Sequence, residues 1–193
     1  SETLKQIGVW NELVDKLGYT EKIKYWHCGA SSSLFYLEKI KSNAVRLGLG
    51  LYGINVDEKK KFDLQTALGL QSVISSIRQV RAGEGVGYNF TFKTKKDRQV
   101  ATVPVGYFEG VDRRLSNIGF VRVGNIFCPI IGRVSMNIIS IDVSEVKEIV
   151  VGQDVEVIGL VGKNSVENMA KLTKTIPYEI LVHIPSLLKR EMI

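Results

Sequence analysis

The stretch AVRLGLGLYGIN, residues 44–55, sets Arg46 at the head of an apolar run that carries Gly48, Gly50 and Gly53. Glycine weakens a strand, so its recurrence here marks a place where another group comes close to the backbone. A cation leading such a run requires a partner, because an unpaired buried charge is very costly. Upstream, GASSS puts Ser31 near the start of an expected helix, where a serine hydroxyl caps the free N–H groups. On residue type alone Arg46 is a structural ion pair, Ser31 a helix cap, Tyr88 a hairpin-edge tyrosine and Met136 a core residue.

The elements that must position these residues fall into two textures. Leu4, Ile7, Trp10, Leu13, Val14 and Leu17 follow helical spacing over residues 3–17, and Gly18 ends the run. KIKYWHC (22–28) reads as a short strand, the segment after GASSS as a helix, and AVRLGLGLYG as a second strand. Helix, strand, helix, strand is the α/β pattern of parallel-sheet units. The charged stretch NVDEKKKFDLQ, 55–65, reads as a linker. Beyond residue 66 short β-rich runs alternate with glycine and charge. Gly124-Asn125 between apolar runs predicts a two-residue hairpin, and Ala101, Val103 and Val105 alternate as in a half-buried strand. Asn164 or Ser165 is expected to cap a short helix over 166–173. The reading is a domain at 1–65 and an all-β domain with one small helix at 66–193.

The 193 residues suffice for one or two domains with a hydrophobic core. With 45% hydrophobic and 24% charged residues the composition is that of a globular protein. The +6 net charge is spread along the sequence, with Lys59, Lys60 and Lys61 as its main run. That is no dense basic patch with interleaved aromatics, so nucleic acid is not an expected partner. No stretch approaches the ~20 apolar residues of a membrane span, and no signal peptide is recognised. Cys28 and Cys128 lack metal-ligand spacing and form no disulfide framework. No metal or membrane partner is expected, and a reducing cytoplasm is the expected compartment.

In order along the chain, WHCGASSS, VRLGLGLYG, GEGVGYNFTF, VPVGYFEGVDRRLSN, GRVSMN and TIPYEIL resemble the C-terminal half of the alanine racemases, from about residue 26 onward. The resemblance implies the last βα units of a TIM-like barrel at 1–65, followed by a mainly antiparallel β-domain with a small helix at 66–193. It implies pyridoxal 5'-phosphate as cofactor and interconversion of L- and D-alanine that supplies D-alanine for peptidoglycan. It also implies a homodimer whose subunits share active sites. Arg46 resembles the arginine facing the cofactor's pyridine nitrogen; since arginine keeps its proton, that nitrogen stays unprotonated. His27 resembles the histidine supporting that arginine. Ser31, the backbone of Gly48 and Leu49, and Tyr178 resemble the phosphate-binding set. Tyr88 matches the catalytic tyrosine that moves a proton on one face of Cα. Its ordinary value near 10 means that basic action near pH 7 needs help worth about 4 kcal/mol. Tyr107 and Met136 match substrate-facing positions, with the Met136 N–H bound to the substrate carboxylate.

The resemblance also has departures. The family's cofactor lysine lies in a segment with an N-A-Y-G-H-like surround, which is not found in these residues; the 193-residue chain is therefore expected to be a fragment that does not racemise alone. Ala30 stands where the family has asparagine, Glu109 where it has aspartate in GYxDG, and Asn137 where it has aspartate after the methionine. Another amino acid such as serine is the alternative substrate, which Tyr178 would crowd. A non-catalytic assembly or regulatory domain is the alternative of another class.

Overall fold

The computed structural model describes residues 2–18, 23–55 and 62–192. It divides into two compact units, Ser1–Ala67 and Leu68–Ile193. The Lys59–Lys61 run and most of the expected linker lie outside the described residues.

In the first unit α1 (Glu2–Leu17) forms where helical spacing predicts it, and Gly18 at φ +64° ends it. Ile7 and Val14 are its buried residues, while Leu4, Leu13 and Leu17 remain exposed. The Trp10 indole N–H donates to the Lys41 carbonyl at 2.8 Å, and Lys41 pairs with Asp15 at 2.6 Å.

Neither expected strand of this unit is a regular one. The stretches 24–29 and 43–47 carry no regular secondary structure, and Asn43 and Arg46 donate their N–H groups to the carbonyls of Trp26 and Gly29. The two segments thus run side by side in the same direction. Asn43 replaces part of the ladder, its side chain accepting from the Trp26 N–H and donating to the Lys24 carbonyl. The helix after GASSS is a 3₁₀ helix, Ser31–Lys39. The second strand stops at Gly48, where Leu49–Tyr52 tightens into a 3₁₀ turn closed by Gly53 at φ +73°. A side chain at Gly53 would run into the Gln65–Thr66 backbone.

The second unit consists mainly of antiparallel sheets. β1 (Leu70–Val73), β9 (Asp154–Ile158), β6 (Phe120–Val123) and β7 (Ile126–Pro129) form a four-stranded sheet in the order β1-β9-β6-β7. β2 (Ser76–Val80), β5 (Arg98–Val103) and β8 (Ile139–Asp142) form a second in the order β2-β5-β8, and β3 (Gly85–Val86) pairs with β4 (Phe92–Lys93). The β6–β7 hairpin turns at Gly124-Asn125, with Gly124 at φ +56° and Val123 opposite Ile126. Ala101, Val103 and Val105 are buried as their alternation predicts, but Val100 is buried too. β5 is the central strand of its sheet, and Val100 packs with Val80, Val86 and Ile131 on the other face.

α2 (Val166–Thr173) is capped by Ser165, whose hydroxyl accepts from the Asn168 N–H. Val166, Met169, Ala170 and Thr173 make its buried stripe. A further helix, α3 (Pro177–Val182), follows, so among the described residues the unit has two small α-helices rather than one. Pro177 opens α3 at the position where its missing N–H costs nothing.

No helix among the described residues is long and apolar enough to cross a membrane. Cys28 is exposed and Cys128 buried. Burial, with the Asp142 charge nearby, pushes the Cys128 thiol up to about 12. Ellman's reagent at pH 8 should therefore titrate one thiol per folded chain, at Cys28, and two after unfolding. Rapid reaction of both thiols in the folded chain would contradict this burial.

Candidate functional site

The first unit brings Ser31 and the glycine run together. Ser31 opens its 3₁₀ helix without capping it; the residue is only 3% exposed, and its Oγ accepts from the Gly48 N–H at 3.0 Å and the Gly50 N–H at 3.5 Å. Capping therefore does not explain this serine. Leu49 is buried, and its N–H, first in the turn that follows, has no carbonyl within that turn. The Ser31 hydroxyl and the Gly48 and Gly50 N–H groups thus meet at one place, groups of the kind that bind a multiply charged oxyanion. The donor chemistry fits a phosphate.

Arg46 is exposed rather than buried, so its charge is solvated, and among the described residues it forms no ion pair. Its backbone is fixed by the N–H bond to Gly29. His27 is also exposed, and no hydrogen bond joins its side chain to that of Arg46 among the described residues. The unpaired guanidinium fits an acceptor nitrogen.

In the second unit Tyr88 begins a 3₁₀ turn, Tyr88–Phe90, and is 70% exposed. Asn89 and Phe90 both have positive φ, so the chain reverses sharply behind the ring. Gly87, at φ +73°, lies against Gly132 and Arg133 so closely that a Cβ would stand 3.0 Å from the Arg133 nitrogen. A Cβ on Gly132 would in turn meet the Val86 carbonyl at 2.7 Å. Two backbones without side chains thus set where Tyr88 stands. Beside it is a cleft of about 310 Å³ lined by Gly87, Tyr88, Arg133, Ser135, Ile138 and Ser140. The Arg133 Nε is buried without an acceptor among the described residues. Sequence reasoning missed Arg133; a charge inside the apolar run PIIGRV was the available signal.

Tyr107 and Met136 are brought together. Tyr107 donates its N–H to the Ser135 carbonyl at 3.0 Å, and Phe108 donates to the Met136 carbonyl at 2.9 Å. Gly106 permits this, since a Cβ there would fall on the Ser135 and Met136 carbonyl oxygens. Met136 is half exposed, not core, and among the described residues its N–H has no acceptor.

Tyr178, on α3, is partly exposed. Next to it Glu179 accepts from Thr175 and, at 2.7 Å, from Arg114, which also grips Asp112 at 2.5 Å. This network borders a second cleft of about 340 Å³ that reaches Tyr107, Arg113 and His183. Burial pushes the Asp112 carboxyl up, but hydrogen bonds from the Arg114 side chain and backbone outweigh it and leave it below its ordinary value. The Thr175 hydroxyl, opposed by desolvation and joined by Arg114, lowers Glu179 as well. Carboxylates held low in the folded state add stability above their unfolded value, about 4, and lose it as pH falls through the folded value. Arg114→Met should therefore lower the thermal midpoint at pH 7 and flatten its decline below pH 4. An unchanged slope of midpoint against pH would show that Arg114 does not hold these groups.

No group of histidine, cysteine and carboxylate side chains that could hold a metal occurs among the described residues.

Comparison with known proteins adds independent findings. A family model described as "Alanine racemase, C-terminal domain" matches residues 67–192. The alanine racemase of Rickettsia bellii is 37% identical over 163 residues, covering 83% of this chain and 39% of the relative. That of Leptospira interrogans serovar copenhageni is 35% identical over 190 residues, 92% of this chain and 48% of the relative. The crystal structure of alanine racemase from Bartonella henselae with covalently bound pyridoxal phosphate aligns with a TM-score of 0.86 at 29% identity, over 100% of this chain and 52% of that one. The chain spans about half the length of the curated relatives it matches.

Proposed function

The chain belongs to the alanine racemase family, and from that premise we propose that it forms the C-terminal portion of an enzyme interconverting L- and D-alanine with pyridoxal 5'-phosphate. The observation that carries the proposal is the Ser31 hydroxyl gathered with the Gly48 and Gly50 N–H groups, a phosphate-type donor set inside the matched sequence. Residues 1–65 would contribute the end of the barrel and residues 66–193 the β-domain.

When bound, the cofactor supplies an electron-withdrawing ring that acidifies the Cα–H of an attached amino acid. Ser31 and the N–H groups of Gly48 and Leu49 would hold its phosphate. Arg46, with His27 in support, would face the ring nitrogen and keep it unprotonated, because a guanidinium does not give up its proton. Tyr88 would move the proton on one face of Cα. The open Met136 N–H would bind the substrate carboxylate beside Tyr107. In a homodimer Tyr88 would serve the partner's site. The product would be D-alanine for peptidoglycan, made in the cytoplasm.

The test is to incubate the full-length protein with L-alanine and the cofactor in deuterium oxide and to follow D-alanine by chiral chromatography. The expected result is D-alanine carrying deuterium at Cα. If serine is racemised faster than alanine, the substrate assignment is overturned. If neither is racemised by cofactor-loaded protein, the enzymatic reading is overturned.

A further inference from the structure

Two positions of the second unit that depart from the family's sequence pattern, Glu109 and Asn137, turn out to be bonded to each other. The Asn137 side-chain amide donates to Glu109 Oε1 at 2.7 Å, while Glu109 Oε2 accepts from the Gly106 N–H, also at 2.7 Å. One carboxylate therefore ties the turn that carries Tyr107 to the loop that carries Met136. The backbone bonds Tyr107 to Ser135 and Phe108 to Met136 run alongside it. Ser135 also donates to the Ile138 carbonyl, which closes the loop around the open Met136 N–H.

We propose that Glu109 and Asn137 are a matched pair that positions the Met136 loop against the Tyr107 turn and keeps the charge beside the Met136 N–H at a single negative. The inference rests on the functional reading only for what that N–H binds. The chemistry of the pair is independent of it. Glu109 reaches residue 137, and the amide there supplies a donor to its carboxylate. Aspartate at 137 would set two carboxylates within hydrogen-bond distance, where both cannot remain ionised without strong repulsion. The Glu109 carboxylate and the neutral Asn137 amide thus complement each other. A substrate carboxylate arriving at the Met136 N–H would meet one negative charge, already engaged by two donors, instead of two.

The test is a double-mutant cycle in the full-length protein, read by thermal unfolding at pH 7.5. Asn137→Asp should lower the midpoint by about 3 °C, the effect moderated by the exposure of residue 137. Glu109→Gln should also lower it, since one amide oxygen must then serve both donors. Combining the two restores an amide and a carboxylate with roles exchanged: the amide now at position 109 accepts from the Gly106 N–H and donates to the carboxylate now at position 137. The double variant should recover at least half of the loss. Additive losses would overturn the pairing.

The charge is read separately in the full-length enzyme. Asn137→Asp should raise the KM for alanine about fivefold with kcat within about twofold, and the double variant should return KM close to the parent value. An unchanged KM in Asn137→Asp would overturn the charge assignment even where the unfolding cycle shows coupling. Absence of racemisation by the parent enzyme would count against the functional reading and leave the unfolding cycle to decide the pair.

Discussion

Tyr88→Phe in the full-length protein should slow alanine racemisation by about 10²–10⁴-fold, the range lost with a general acid–base group. The substitution removes one oxygen and keeps the ring. Because Tyr88 is 70% exposed, the midpoint of thermal unfolding should move by no more than about 1 °C. Loss of activity with unchanged stability is the signature of a hydroxyl that works on the substrate. The same variant reads out assembly. Mixed with subunits that lack the cofactor lysine, Tyr88→Phe subunits should form hybrid dimers in which one site carries both defects and the other neither, so that activity returns. Hybrids that form yet stay inactive would confine Tyr88 to its own subunit. Near-parental activity of Tyr88→Phe alone would remove Tyr88 from proton transfer altogether.

Asp142→Ala should destabilise the chain by about 3–5 kcal/mol, as expected when one partner of a buried ion pair is deleted. Asp142, its side chain 7% exposed, pairs with Arg98, whose Nε donates to Thr94 Oγ1. Its other oxygen accepts from the Ser144 hydroxyl at 2.6 Å and the Ser144 N–H at 3.1 Å. The pair joins β5 to β8 next to the Val100–Asp142 register position. Removing the carboxylate strands the Arg98 charge and leaves the two Ser144 donors without their acceptor. Replacing both charges, Arg98→Met with Asp142→Leu, should be much milder, because no charge then stays unpaired. Urea unfolding measures both variants. A loss below about 1 kcal/mol for Asp142→Ala would mean that water already solvates the pair.

Where local rules act alone, the sequence could be read directly. Gly124-Asn125 needs nothing beyond two residues that tolerate a hairpin turn, and Ser165 nothing beyond an N–H three residues on. The resemblance named Ser31 and Gly48, and the structure brings them to hydrogen-bond distance. The first unit was harder to read. Its expected strands lack a regular ladder because Asn43 substitutes side-chain bonds for backbone ones, and alternating apolar residues carry no record of that. On residue type alone Arg46 reads as a structural ion pair, yet it is exposed and forms no ion pair among the described residues. α3 was missed because six residues give too short a helical pattern, and Pro177 reads as a break as easily as a start. The bond between Glu109 and Asn137 joins positions far apart in sequence, and nothing in the order of residues announces it.

The order of strands in the four-stranded sheet has a consequence for the time course of synthesis. β1 is among the first strands of its unit to leave the ribosome, but its partner β9 ends only at Ile158. At about 5–20 residues per second, the hydrogen-bonding edge of β1 waits on the order of ten seconds for that partner. The β6–β7 hairpin can close on its own meanwhile, and β2 finds β5 sooner. During that interval β1 is an open edge of the kind that pairs with other chains. Crowding among nascent chains on one messenger therefore bears most heavily on residues 70–73, where the completed fold shows only an ordinary sheet border.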